Sequence, residues 1–133
     1  YGHQAGDRML INIARILKES IRDTDFVARY GGEEFVIVFP ETGNEAAIRV
    51  SERIRRAVAI GGIYVKGLGK KSTTISLGVA TYPYNAQDVA ELVYNADKAL
   101  YRAKQLGKNR VETLMPSIIS KFPELADNGQ RRR

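Results

Sequence analysis

The chain contains no cysteine, which excludes a disulfide framework and thiolate chemistry. No apolar run approaches the length of a membrane span, and no signal-peptide pattern opens the sequence. Internal repeats and low-complexity segments are also absent. Basic residues are not interleaved with aromatics in the manner that stacks nucleic-acid bases. These absences point to a soluble intracellular module, with a cytoplasmic location and neither nucleic acid nor membrane among its partners. An anchor elsewhere in a longer protein is left open. What is abundant is positive charge: 21 Lys and Arg stand against 15 Asp and Glu, a formal net charge of +6. Such a balance favours an anionic partner without identifying it. Three of the positive charges are Arg131, Arg132 and Arg133, expected on a mobile tail.

At 133 residues the chain can build one core unaided. Met9, Leu10, Ile13, Ile16, Leu17 and Ile21 share one helical face, with Asp7 placed as the N-cap and an end near Arg22 to Asp25. A hairpin around Gly31-Gly32 closes at Pro40. Thr42-Gly43-Asn44-Glu45 has capping-box spacing, so a second helix is expected through Val58, ended by Gly61-Gly62. Strands are expected at Ile63-Tyr64-Val65 and from Thr73 to Tyr82, joined by a basic loop from Lys66 to Lys71. Gly67-Leu68-Gly69-Lys70-Lys71-Ser72 fails as a phosphate loop, because a second lysine interrupts the motif. A last helix from about Gln87 to Leu106 turns Val89, Leu92, Val93, Ala96, Leu100 and Ala103 inward, and Gly107 stops it. Asn109-Arg110-Val111 can begin a final strand. The domain is expected over residues 1–115, with 116–133 as a tail. Mixed helices and strands of this kind indicate an α+β layer of sheet with helices packed on it.

Arg29-Tyr30-Gly31-Gly32-Glu33-Glu34-Phe35 carries the most chemistry. Paired glycines let backbone approach a bulky anionic ligand, and adjacent carboxylates suit a hard cation such as Mg²⁺ with phosphate partners. The plain alternative is a solvated acidic turn. Lys104 and Lys108 are one helical turn apart and would offset the negative end of a helix. Arg22 and Asp25 form an ordinary surface ion pair in the plain reading. Arg29 is expected to brace the hairpin through an ion pair, with a phosphate contact as the other option. His3, the only histidine, is given no catalytic role.

Gly31-Gly32-Glu33-Glu34-Phe35 resembles the signature of the GGDEF family, the diguanylate cyclases. Further ordered matches are Tyr1-Gly2-His3-Gln4-Ala5-Gly6-Asp7, Thr74-Ile75-Ser76-Leu77-Gly78-Val79-Ala80, Ala96-Asp97-Lys98-Ala99-Leu100-Tyr101-Arg102-Ala103-Lys104 and Gly107-Lys108-Asn109-Arg110. The resemblance spans residues 1 to about 112. It implies a ferredoxin-like palm, a central and mostly antiparallel sheet flanked by helices. By the same resemblance, Glu33 ligates Mg²⁺ and is the candidate base, Glu34 reaches a second metal, and Mn²⁺ is an alternative ion. Asp7 reads the guanine edge, Gly31 and Gly32 admit the nucleotide, and Lys104 and Lys108 bind the GTP triphosphate. Arginine is usual at the Lys108 position, so phosphate orientation is expected to be weaker there. Arg22 and Asp25, with Arg53 as an addition, match a product-inhibition site for cyclic diguanylate.

The family motif Asp-x-Asp-x-Phe-Lys-x-x-Asn-Asp, on a first strand and helix, is not in the sequence. It carries a further metal-binding aspartate and a guanine-reading asparagine. The expectation is therefore a piece of a longer protein with a sensory region upstream, inactive when isolated. The resemblance implies a homodimer that condenses two GTP into cyclic diguanylate. A catalytically silent module that binds cyclic diguanylate or GTP for signalling is the alternative.

Overall fold

Amphipathic spacing organises the first third of the chain, and the core follows from it. A computed structural model describes residues 3–117. Helix α1 (His3–Ser20) is followed by strands β1 (Phe26–Gly31) and β2 (Glu34–Val38) and helix α2 (Asn44–Ile60). Strands β3 (Ile63–Val65), β4 (Gly69–Lys71) and β5 (Leu77–Val79), helix α3 (Val89–Gln105) and strand β6 (Val111–Thr113) complete the order. Ile13, Ile16 and Leu17 of α1 meet Ile54 and Val58 of α2 to form the buried centre. Val27, Phe35 and Ile37 of the hairpin pack against it, as do Ile75 and Leu77. Each such side chain contributes about 1.5–3 kcal/mol when fully withdrawn from water, and Ile54 is completely buried.

Small residues set the other layer. Ala99 and Ala103 of α3 are buried, and the helix lies so close to β5 that a Cβ on Gly78 would stand 2.2 Å from the Ala96 carbonyl oxygen. Asp88 caps α3 by accepting the Glu91 backbone N–H at 2.8 Å.

Pairing is antiparallel in β1–β2 and β3–β4 and parallel in β5–β6. The result is an α+β arrangement of helices on short strands. Instead of one continuous sheet it has three two-stranded pieces, and no described strand joins β2 to β5.

Several local expectations are corrected. Helix α1 already runs from His3, so Asp7 lies inside it and is not its N-cap; the helix ends at Ser20, before Arg22. The capping box at Thr42 does not form, because Gly43 occupies the N-cap and has no side chain to offer. Thr42 Oγ1 is engaged elsewhere, donating to the Pro40 carbonyl at 2.9 Å. Part of the expected basic loop is strand β4: Gly67 (φ 84°) and Gly69 (φ 78°) allow a tight reversal that brings Lys70 opposite Tyr64. The strand expected over residues 73–82 contracts to β5. Val89 and Val93 are exposed, because α3 packs through its alanines. The tail expected over 116–133, with Arg131 to Arg133, lies outside the described residues from 118 onward, as do Tyr1 and Gly2.

Candidate functional site

The hairpin keeps regular register from Phe26 opposite Val38 to Arg29 opposite Phe35, then shifts so that Gly31 faces Glu34. That irregularity breaks the ladder just before the turn, as a β-bulge does. Only Gly32 is left-handed, at φ 48°, whereas Gly31 keeps ordinary backbone geometry. Open space surrounds both glycines, since a Cβ on either would meet nothing within 4 Å. Arg29 curls over the turn and donates from Nε (2.8 Å) and Nη2 (2.5 Å) to the Gly32 carbonyl. Its expected ion pair is thus replaced by a backbone contact, because the nearest acceptor is a turn carbonyl.

Glu33 and Glu34 are exposed beside this turn. Neither carboxylate has a hydrogen-bond or ion-pair partner among the described residues. Two unpaired carboxylates offer the hard oxygen ligands Mg²⁺ takes, and that ion commonly adds only phosphate oxygens and water to one or two carboxylates. The donor set therefore fits the ion, although no described group of three or more His, Cys, Asp or Glu residues forms a closed metal cage.

A cleft of about 1000 Å³ runs between α1 and β1. Asp7 lines one part of it, Leu10, Ile11 and Ala14 supply apolar wall, and Arg22 and Arg29 also face it. Glu33, Glu34, Lys104 and Lys108 do not line this cleft.

Beyond the C-terminal end of α1, Arg22 is held by several contacts through Nη2. Its Nη2 donates to Asp25 Oδ1 at 3.0 Å, to Thr42 Oγ1 at 2.8 Å and to the Pro40 carbonyl at 3.1 Å. Asp25 Oδ2 accepts the Arg22 backbone N–H at 2.8 Å. The Asp25 side chain is only 3% exposed against 59% for Arg22. Hydrogen bonding from Arg22 holds the Asp25 carboxyl below the usual carboxylate range. Arg53 Nη2 donates to the Ser20 carbonyl at 2.7 Å. Arg22, Asp25 and Arg53 are thereby gathered around one helix end.

Lys104 lies in the last turn of α3, but Lys108 lies past the helix, which corrects their expected placement on one helical surface. Gly107 (φ 117°), Lys108 (φ 62°) and Asn109 (φ 49°) form three successive positive-φ residues. Non-glycine residues held there cost about 1–3 kcal/mol each and need firm surroundings. Three contacts supply them. The Lys108 N–H donates to the Ala103 carbonyl at 2.9 Å, the Asn109 N–H to Ser76 Oγ at 3.2 Å, and Arg55 Nη1 to Asn109 Oδ1 at 2.8 Å. Glu52 braces Arg55 by accepting from its Nε at 3.0 Å. Hydrogen bonding from Arg55 in turn lowers the Glu52 carboxyl. Sequence reasoning missed the parts played by Thr42, Glu52, Arg55 and Asn109. Only the Glu52–Arg55 spacing carried a signal, an ion pair one helical turn apart.

The family model described as diguanylate cyclase, GGDEF domain, matches residues 1–110. The chain belongs to the GGDEF family. Diguanylate cyclase A of Treponema denticola is 46% identical over 111 residues, covering 84% of this chain and 30% of that protein. Diguanylate cyclase DgcM of Escherichia coli K12 is 42% identical over 111 residues, with 84% of this chain and 26% of the relative covered. The chain thus spans less than a third of the length of these two relatives. Among solved structures, the active GGEEF domain of a Vibrio cholerae diguanylate cyclase superposes with a TM-score of 0.72 at 33% identity, over 84% of this chain and 70% of that one. The coiled coil and GGDEF domain of DgcB from Caulobacter crescentus, solved with c-di-GMP, gives 0.76 at 28% identity over 86% and 60%. In this GGDEF chain the signature is Gly31-Gly32-Glu33-Glu34-Phe35, at the exposed hairpin tip.

Proposed function

We propose that the protein carrying this chain is a diguanylate cyclase. It condenses two GTP into cyclic di-GMP and two pyrophosphates. The observation that carries this reading is the pair of unpartnered carboxylates, Glu33 and Glu34, beside an open glycine turn in a GGDEF-family hairpin. In each of two bond-forming steps, a ribose 3′-hydroxyl of one GTP attacks the α-phosphorus of the other. A phosphodiester bond forms, and the bond to pyrophosphate breaks. Glu33 receives the hydroxyl proton, and Gly31 and Gly32 leave space for the phosphates. Glu33 and Glu34 would hold Mg²⁺ (or Mn²⁺ in its place), which would supply charge neutralisation for the phosphates and Lewis acidity for the hydroxyl. Asp7 accepts from the N1–H and exocyclic amine of guanine, a donor pair adenine lacks. Lys104 and Lys108 attract the triphosphate.

Two such subunits face each other, one GTP in each, so homodimerisation belongs to the mechanism. Product occupies the Arg22, Asp25 and Arg53 region and restrains turnover; the exposed guanidiniums there suit phosphate and the guanine face. The test is to incubate the whole protein, stripped of bound nucleotide, with GTP and Mg²⁺ and to separate products by chromatography. A folded dimer that makes no cyclic di-GMP sinks the assignment.

One observation favours a second reading, a silent module that binds cyclic di-GMP. Arg22 and Arg53 present exposed guanidiniums around one end of α1, next to the buried Asp25 carboxylate. Calorimetry with cyclic di-GMP on Arg22→Ala tests this site, and the GTP incubation above separates the two readings. Unchanged affinity removes this site from both readings.

A further inference from the structure

We propose that Arg55 and Asn109 are positioning residues that fix where Lys108 presents its ammonium to the nucleotide phosphates. The inference rests on the cyclase reading and adds to it two side chains that touch no substrate.

Lys108 binds the end of α3 through its backbone N–H, which donates to the Ala103 carbonyl at 2.9 Å. Its ammonium has no hydrogen-bond or ion-pair partner among the described residues. The charge is therefore free for a ligand, while the backbone beneath it is tightly set. Positive φ values at Lys108 (62°) and Asn109 (49°) persist only where contacts over-determine them. Asn109 makes two such contacts, its N–H to Ser76 Oγ at 3.2 Å and its Oδ1 to Arg55 Nη1 at 2.8 Å.

Arg55 is a suitable anchor. Its side chain is only 18% exposed, and its Nε lies 3.0 Å from both carboxylate oxygens of Glu52. The fork on Glu52 leaves Nη1 aimed at Asn109. Neighbouring Ile54 and Val58 lie in the buried core, so α2 transmits a fixed position to the loop. Lysine has four rotatable stem bonds and no planar fork.

Asn109→Gly separates the roles, because glycine keeps the left-handed backbone and removes the acceptor for Arg55. In the whole protein with GTP and Mg²⁺, Asn109→Gly is expected to raise KM for GTP about tenfold with little change in melting temperature. Asn109→Asp retains an acceptor for Arg55 and is expected to stay near the wild-type KM. In a Lys108→Ala background, Asn109→Gly should add less than about twofold, since its effect runs through the lysine. A wild-type KM in Asn109→Gly, or a full additional loss on top of Lys108→Ala, overturns the inference while leaving the cyclase reading intact. A wild-type protein that neither binds nor turns over GTP overturns both.

Discussion

Gly78→Ala tests how closely α3 must approach β5. A Cβ on Gly78 would lie 2.2 Å from the Ala96 carbonyl oxygen, 2.3 Å from the Leu100 nitrogen and 2.9 Å from the Leu100 Cα. These are backbone atoms of a helix, so no side chain can rotate away. Ordinary contact begins near 3.4 Å, and relief therefore requires α3 to move about 1 Å off the strand. That movement opens gaps around Ala99 and Ala103, both fully buried. Overpacking costs about 1–3 kcal/mol in general, and a backbone collision belongs at or above the upper end. At about 3 kcal/mol, a domain of this size should lose roughly 10–15 °C of melting temperature. Circular dichroism melts of the purified chain and its variant provide the measurement. A variant melting within about 2 °C of wild type would refute the close-approach argument.

Other consequences can be checked separately. Glu33→Gln should lower turnover of the whole protein by at least about a hundredfold while leaving its melt unchanged, because the side chain bonds to nothing described; a shifted melt contradicts this placement. Asp25 has a lowered folded pKa through its hydrogen bonds from Arg22, so its stabilisation is complete above the usual carboxylate range of about 4 and fades as pH falls through the lowered value. Asp25→Asn should be less stable at neutral pH, and the gap in urea midpoints should close in strong acid. Gly6→Ala, inside α1 with open space for its methyl, should gain about 0.5–1 kcal/mol in chemical denaturation.

Periodicity read the helices well because their apolar faces are long and continuous. Ile13, Ile16 and Leu17 repeat at helical spacing, and that face meets the core. The hairpin was legible for the same reason, with alternation on both sides of Gly31-Gly32. Boundaries were harder. Asp7 looks like a cap by residue type, yet the helix starts upstream of it, and nothing in a cap preference counts preceding turns. Thr42 misled similarly, because its hydroxyl donates to the Pro40 carbonyl and accepts from Arg22, 20 positions earlier in the sequence. The exposure of Val89 and Val93 was hidden from helical spacing, which shows that a stripe exists but not whether a partner covers all of it. Within the site, motif-borne residues were visible and their supports were not. Arg55 reaches Asn109 across 54 positions, a contact that no local pattern encodes.

The candidate residues fall on two structural units. Asp7, Arg22, Glu33 and Glu34 belong to α1, the turn after it and the hairpin, whereas Lys104 and Lys108 belong to α3 and the loop that feeds β6. No described ladder of hydrogen bonds runs between the hairpin and β5. What relates the units is the buried cluster of α1 and α2, against which Val27, Phe35 and Ile37 pack along with Ile75 and Leu77. Apolar packing resists gaps strongly but directs orientation weakly, whereas hydrogen bonds impose direction. Two of the directional contacts that α2 makes reach far along the chain: Arg53 to the Ser20 carbonyl and Arg55 to Asn109. One reaches the α1 end beside Arg22, and the other reaches the loop beside Lys108. Two arginines separated by a single buried isoleucine thus orient both halves of the candidate site from the same turn of helix.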